Sequence, residues 1–285
     1  MNSKEIGGIG VLLIVTFIWG VTFPVIKEVF LFLSPTVFLS FRFIIAVIVM
    51  IPFVFMQFRG LNRTRIKYGI IAGIFLFIAY YLQTVGLKYT EPALSGIITG
   101  IYVVFIPIIS YFYVKRKIMR VEVFSSVFAF AGLVLMSYTS ITNISIQIGN
   151  IMTFIAALFY SFQLVYVSKH AKEIDPIMFS FIQIVMVAIF STAMIPVDSV
   201  PMILNGYSIF VIIFTAVFAT FIAMYIYVKA LSWMNVTKVG VILIGEPIFA
   251  ILTSVYLYGE KLSILTVLGM FIMIISMVVI SYYTE

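Results

Sequence analysis

The 285-residue chain contains no cysteine and one histidine, and charged residues make up only 9% of it. The absence of cysteine excludes disulfides, thiolate metal sites, iron–sulfur clusters and cysteine nucleophiles. The single histidine, His170, falls in a predicted polar loop with Lys169, Lys172 and Glu173, a set that cannot form a zinc site. The sequence therefore predicts no metal site and no bound cofactor.

Apolar residues, in contrast, make up 64% of the chain. A soluble domain has about 45–50% apolar and about 25% charged residues, so this composition predicts a membrane protein. Because a membrane-spanning helix needs roughly 20 apolar residues, the 285 residues allow about ten spans with short loops. The apolar runs are continuous rather than alternating, which excludes an outer-membrane barrel.

Ten apolar runs can be marked along the chain, and each predicts a membrane-spanning helix. The first run has only Lys4 before it and lacks a small-x-small cleavage site, so it is not expected to be a cleaved signal peptide. The ten runs cover about residues 6–26, 33–55, 67–87, 92–114, 121–139, 148–168, 177–196, 207–229, 236–257 and 263–283.

Basic residues lie mostly in the loops on one side of the predicted helices. With a cytoplasmic N-terminus, 13 lysines and arginines lie on the inner side, three lie on the outer side, and Arg42 lies within a span, which accounts for all 17. Short cytoplasmic loops carry such an excess. The bias predicts a multi-pass plasma membrane protein with both termini in the cytoplasm, and it explains the net charge of +7 without nucleic acid binding.

The two halves of the chain resemble each other at a nearly constant spacing. An offset of 141 pairs Arg42 with Gln183, and an offset of 144 pairs Tyr102 with Glu246. Each half has five predicted spans, an odd number, so the second half enters the membrane from the opposite side. We therefore predict an all-α integral membrane protein of ten transmembrane helices in two inverted five-helix repeats, an arrangement typical of secondary transporters. The predicted repeats are residues 1–140 and 141–285.

Four segments spread along the whole chain match short motifs of one known family. They are Trp19–Phe23, Arg42-Phe43, Gly86–Thr90, and Gly245-Glu246-Pro247 followed by Gly259-Glu260-Lys261-Leu262. In this order they resemble the EamA-type members of the drug/metabolite transporter superfamily. The resemblance implies a ten-helix inverted-repeat transporter, in a family where many members export amino acids or other small metabolites.

Two charged residues, Arg42 and Glu246, lie near the middle of predicted spans. A charge at the membrane centre costs at least about 2.5–3.5 kcal/mol on insertion scales, so it normally faces a partner or a water-filled cavity. Arg42 either ties helices together or contacts an anionic group of the solute. Glu246 either bonds within a helix interface or contacts solute and proton, and a pair between the two residues stays open. Pro247 is expected to act as a helix hinge, because proline frees a carbonyl one turn earlier.

Polar and aromatic helix faces predict the walls of a central cavity. Its sparse polar groups, with one charge of each sign, suit a small amphiphilic or zwitterionic solute and do not suit a polyphosphate. Tyr102 and Glu246 are expected to face each other across the axis that relates the repeats. We further expect the protonation of Glu246 to be coupled to transport. The predicted solute-binding residues are Trp19, Thr22, Tyr80, Gln83, Thr84, Ser95, Thr99, Tyr102, Tyr160, Gln163, Tyr225 and Glu246.

Other functions are disfavoured by what the spans lack. The chain has no glycine-rich phosphate loop, so it carries no ATP-binding site of its own. An intramembrane aspartyl hydrolase needs two membrane aspartates, but Asp175 and Asp198 both fall in predicted loops, so we expect no enzyme. A channel and an uptake carrier stay as alternatives to an exporter. The expected partners are a small-molecule solute and membrane lipid, without nucleic acid, and the sequence does not fix the oligomeric state.

Overall fold

A computed structural model describes residues 3–56, 62–90, 92–136, 148–195, 202–258 and 262–282. The regular structure of these residues is entirely helical, which confirms the predicted all-α fold. The first half forms α1 (Ser3–Val29), α2 (Pro35–Met56), α3 (Arg63–Lys88), α4 (Pro92–Gly100), α5 (Tyr102–Val114) and α6 (Arg120–Met136). The second half forms α7 (Ile148–His170), α8 (Pro176–Ala193), α9 (Gly206–Phe214), a π-helical segment (Thr215–Ile222), α10 (Ala223–Trp233), α11 (Val236–Leu243), α12 (Glu246–Tyr258) and α13 (Ile264–Tyr282).

Nine helical stretches within the described ranges are long and apolar enough to cross a membrane. They correspond to nine of the ten predicted spans. The remaining predicted span is the fifth along the chain, and it corresponds to α6, which has 17 residues up to Met136. The predicted end of this span and the predicted boundary between the repeats at residue 140 lie outside the described residues, as do Gly259, Glu260 and Lys261.

His170, expected in a loop, is instead the buried last residue of α7.

The fourth and ninth spans are each built from two helices. In the fourth span α4 ends at Gly100 and α5 begins at Tyr102, and in the ninth α11 ends at Leu243 and α12 begins at Glu246. The offset of 144 relates Tyr102 to Glu246, so the two breaks lie at equivalent positions of the two halves. Each break is a tight turn rather than an unwound segment, because the N–H of Ile101 donates to the carbonyl of Ile98 at 3.2 Å and the N–H of Gly245 to that of Ile242 at 3.1 Å.

Pro247 does not kink a continuous helix. It is the second residue of α12, a position where a missing backbone N–H removes no helical hydrogen bond. The chain turns just before it, at Ile244 and Gly245, where the N–H of Gly245 donates to the carbonyl of Ile242 at 3.1 Å. The predicted hinge is therefore a helix break that lies two to three residues earlier, and Pro247 starts the new helix.

Equivalent contacts hold the two breaks in place. Ser161 on α7 donates its hydroxyl to the carbonyl of Tyr102 at 3.1 Å. Gly20 on α1, which corresponds to Ser161 at the offset of 141, lies so close to α12 that a Cβ there would be 2.5 Å from the carbonyl oxygen of Glu246. The break of each half is thus packed against the first span of the other half.

Candidate functional site

A central cavity lies at the two helix breaks. Its volume is about 100 Å³. Tyr102 and Glu246, the first residues after the two breaks, both line it. The lining follows α1 from Trp19 to Ile26, so the cavity extends from the middle of the spans toward the face of the protein where α1 ends. That face is called the distal face below, and the face where α1 begins is called the N-terminal face.

Ten of the twelve predicted solute-binding residues line this cavity. They are Trp19, Thr22, Tyr80, Gln83, Thr84, Thr99, Tyr102, Tyr160, Gln163 and Glu246. Arg42, predicted as an intramembrane charge, lines it as well. The structure thus brings together in one place side chains from both halves that the sequence separates by more than 200 positions.

Ser95 and Tyr225 are not among the residues that line the cavity. Ser95 is enclosed by helix packing, and its hydroxyl has no hydrogen-bond partner within the described ranges. Tyr225 points along α10 toward Lys229, whose ammonium group donates to its hydroxyl at 3.2 Å. On α10 the cavity is instead lined by Met224 and Tyr227, which share one helix face at a spacing of three.

Met224 and Tyr227 could have been found from the internal repeat. The offset of 144 pairs Met224 with Tyr80 and Tyr227 with Gln83, two residues that were already predicted to line the cavity. The apolar lining residues carry no comparable signal, because leucine and isoleucine are common on every face of a spanning helix. These residues are Ile26, Leu76, Leu87, Leu164 and Leu243.

Side-chain amides connect the walls of the cavity through two hydrogen-bonded chains. In the first, Tyr160 donates to the Gln83 carbonyl at 2.8 Å, and the Gln83 amide donates to Thr99 at 3.0 Å. In the second, Tyr227 donates to Gln163 at 2.8 Å, and Gln163 donates to the buried Gln183 at 2.7 Å. Because buried amides without partners are destabilising, these chains fix the side chains of the polar wall.

The π-helical segment supplies acceptors for two side chains of the site. Trp19 donates its indole N–H to the carbonyl of Ala219 at 2.8 Å. Arg42 donates from Nη2 to the same carbonyl at 3.3 Å and from Nε to the Thr220 hydroxyl at 2.7 Å. A π-helix does not use its carbonyls in the α-helical pattern, and such segments are common at functional sites. This segment therefore joins α1, α2 and the eighth span.

Arg42 ties helices together, which is one of the two roles that the sequence left open, and its contact with a solute stays a prediction. It is only 4% exposed and ties α2 to the π-helical segment. Its guanidinium group also lies 5.2 Å from the ring centroid of Tyr80, on the cavity wall. A guanidinium group over an aromatic ring is stabilised by the electrostatic attraction of the ring face.

Glu246 lies at the start of α12, where the N-terminal end of a helix favours negative charge. In the part of the chain that the structure describes, its carboxyl group takes part in no hydrogen bond and no ion pair. Arg42 and Glu246 thus line the same cavity without pairing in this conformation. The described residues contain no cluster of three side chains that could hold a metal ion.

Known proteins resemble this chain over most of its length. An uncharacterized transporter of Archaeoglobus fulgidus is 33% identical over 270 residues, which are 95% of this chain and 84% of that protein. The uncharacterized transporter YyaM of Bacillus subtilis is 24% identical over 217 residues, 70% of each chain. A protein of known crystal structure superposes with a TM-score of 0.79 at 16% identity, covering 98% of this chain and 97% of its own, which shows a shared fold.

The sequence pattern of one family matches the chain twice, at residues 6–138 and 147–282. These two matches agree with the fold of two repeats and with the motifs that span the sequence. The chain belongs to the EamA-like transporter family, within the drug/metabolite transporter superfamily.

Proposed function

We propose that this transporter moves a small zwitterionic metabolite, with an amino acid as the first candidate, by alternating access. The observation that carries the proposal is the central cavity at two helix breaks in equivalent positions of the two halves. A solute site near the membrane midplane, at the interface of two repeats, is typical of secondary transporters. Its function is transport rather than catalysis, and no residue has a catalytic role.

The cavity suits a solute with one positive and one negative end. Glu246 offers a carboxylate to an ammonium group, and the guanidinium group of Arg42 offers a counterpart to a carboxylate. Aromatic side chains from Trp19, Tyr80 and Tyr160 form walls for the apolar part of the solute.

Polar contacts hold the N-terminal face together, which supports a cycle with two alternating openings. Glu122, fully buried at the start of α6, accepts hydrogen bonds from the Arg116 guanidinium at 2.5 Å and from the amide of Asn235, just before α11. Lys238 on α11 donates to the carbonyl of Ser281 at 3.2 Å. Of these contacts, the bond between Asn235 and Glu122 joins the two halves, at the face opposite to the one that the cavity approaches, so breaking it is part of the proposed switch.

Export is the proposed direction, and protonation of Glu246 is the proposed coupling step. In this cycle the solute leaves Glu246 at the outer face and a proton takes its place, so that the return step carries an uncharged carboxyl group through the membrane. Two features support this role: Glu246 lines the cavity, and it pairs with no basic side chain in the described residues.

Transport by the purified protein in liposomes tests the proposal. A panel of labelled amino acids and other small metabolites is offered with and without a proton gradient, and both net flux and solute counterflow are measured. We expect saturable flux and counterflow for at least one zwitterionic solute, with net flux that follows the proton gradient. Flux that does not saturate, together with an absence of counterflow, would identify a channel.

A further inference from the structure

We propose that a basic pocket on the N-terminal face binds the phosphate headgroup of an anionic phospholipid. The pocket lies where α3 begins and where α5 and α7 end, and it is separate from the central cavity. Three cationic side chains, Arg63, Lys67 and Lys169, line it together with the aromatic side chains of Tyr68, Tyr166 and His170. This site goes beyond the proposed transport function and does not depend on it.

The three cations are arranged to meet one anionic group. Arg63 and Lys67 lie one turn apart on α3, so they share a helix face, and Lys169 reaches the pocket from the last turn of α7. No carboxylate in the described ranges forms an ion pair with any of the three. The nearby carboxylate of Glu173 is bound to His170 Nδ1 at 2.9 Å. The positive charge of the pocket is therefore not neutralised by these carboxylates.

The floor of the pocket is a packed aromatic cluster. The Tyr68 ring stacks on His170 with centroids 3.8 Å apart, and Tyr166 packs against His170 at 5.0 Å. Tyr166 and His170 are almost completely buried. The Lys169 ammonium group lies 4.1 Å from the centroid of the Tyr113 ring and donates to the Tyr113 carbonyl at 3.4 Å, and these contacts hold it at the pocket. The cationic groups thus project from a fixed floor, which lowers the entropy cost of binding a ligand.

An apolar seam that continues from the pocket favours a lipid over a soluble phosphate compound. Phe162 lies one turn before Tyr166 on α7 and is 38% exposed. Phe75 on α3 packs against both, with centroids 5.9 Å from Phe162 and 6.1 Å from Tyr166. The seam leads from the ends of two candidate spans toward their middle, which is the path of an acyl chain below its headgroup. Basic pockets between helices at this depth suit anionic lipid headgroups.

Native mass spectrometry of the purified protein in detergent tests the proposal with phosphatidylglycerol as the probe. Phosphatidylcholine serves as the zwitterionic comparison. The variant R63Q/K67Q/K169Q is expected to lose affinity for phosphatidylglycerol by about tenfold or more, because each cation near the headgroup contributes separately. The control K115Q/K117Q/R120Q removes the same kinds and number of charges from the same face and is expected to bind as the native protein does.

Three results would overturn the proposal. The pocket variant could retain native affinity, or the control could lose as much affinity as the pocket variant, which would indicate only bulk charge. Inorganic phosphate or glycerol 3-phosphate could also displace the lipid at equal concentration, which would indicate a site for soluble anions. If the triple variant does not purify as a folded protein, the single variant Lys169→Gln decides, with an expected loss of about threefold or more.

Discussion

Glu246 is the residue on which the proposed coupling depends most directly. Its carboxyl group lines the cavity and can bind a proton, an ammonium group or neither. Glutamine keeps nearly the same shape and retains hydrogen bonding, but it cannot take up and release a proton. We expect Glu246→Gln to lose proton-driven net flux by about tenfold or more, while solute counterflow continues at a higher half-saturating solute concentration, because the amide oxygen still accepts a hydrogen bond from the ammonium group.

The control for this experiment is Glu28→Gln at the distal end of α1. Glu28 is exposed and its carboxylate accepts a hydrogen bond from Tyr207 at 2.9 Å, so it is a carboxyl group outside the cavity. Its replacement is expected to leave both flux and counterflow unchanged. If Glu246→Gln also keeps normal flux, counterflow and pH dependence, the carboxyl group has a structural role and the coupling proposal is wrong.

Arg42 is expected to contribute to stability through its two bonds to the π-helical segment. Lysine keeps the charge but lacks the planar group that reaches Thr220 and Ala219 together. We expect Arg42→Lys to lower the free energy of unfolding by about 1.5–3 kcal/mol, the range for hydrogen bonds from charged groups. Melting temperatures of the purified variants in one detergent provide the measurement.

The exposed Arg120 offers a matched substitution, since Arg120→Lys is expected to change stability by less than about 0.5 kcal/mol. A second check is Thr220→Val, which removes one acceptor of Arg42. In that background Arg42→Lys should cost less than it does in the native protein, because the two residues share a bond. Equal costs in both backgrounds would show that the bond to Thr220 does not stabilise the fold.

At the scale of residues, the sequence predicted the cavity wall well where a polar or amphipathic residue lay within a predicted span. Trp19, Gln83 and Tyr160 are examples, because a polar or amphipathic side chain within a span is costly unless it has a partner. The prediction failed for Tyr225 and missed Tyr227. Both follow the π-helical segment, and a π-helical turn changes the helical phase, so faces cannot be assigned from a 3.6-residue period across it.

At the scale of helices, the two breaks are held by close backbone contacts that a single methyl group would disturb. Alanine at Gly20 would bring its Cβ to 2.5 Å from the carbonyl oxygen of Glu246 and 2.9 Å from Cβ of Phe249. Overpacking of this kind typically costs about 1–3 kcal/mol. We expect Gly20→Ala to lower the melting temperature and to reduce transport, because α12 must shift away from α1.

Gly10→Ala provides the comparison within the same helix. A Cβ at Gly10 has nothing within 4 Å, so alanine there is expected to be neutral or to stabilise α1 by up to about 1 kcal/mol. Both changes add one methyl group and raise helix propensity equally. If the two variants have the same melting temperature and the same flux, the contact between α1 and the break of the ninth span is not important for either property.

The helices themselves were largely predictable, whereas their interruptions were not. Apolar runs of about 20 residues define spans by length and composition alone, and these are visible in the sequence. The two breaks share no residue pattern: Ile101 separates α4 from α5, Ile244 and Gly245 separate α11 from α12, and Pro107 and Pro52 lie inside continuous helices. The breaks are stabilised by contacts with the opposite half, such as that from Ser161, and such contacts are not visible in a local sequence pattern.

At the scale of the whole molecule, the two halves contribute equivalent positions with different chemistry. Tyr102 and Glu246 occupy the same place in the two repeats, as do Gln83 and Tyr227. A backbone with internal symmetry can alternate between two related conformations, while unequal side chains let the cavity hold a solute in one orientation. Glu246 has a carboxyl group, whereas Tyr102 at the equivalent position does not. In the proposed cycle the proton therefore binds to the second half only.

The orientation of the whole molecule in the membrane can be tested directly because the chain has no cysteine of its own. Lys117 on the N-terminal face and Leu204, before α9 on the opposite side of the spans, are both exposed. The excess of lysine and arginine on the N-terminal face predicts that this face is cytoplasmic. We therefore expect an impermeant maleimide to label Leu204→Cys in intact cells and to label Lys117→Cys only after permeabilisation. The reverse pattern would show that the cavity of this structure approaches the cytoplasm, and the predicted cytoplasmic location of both termini would be wrong.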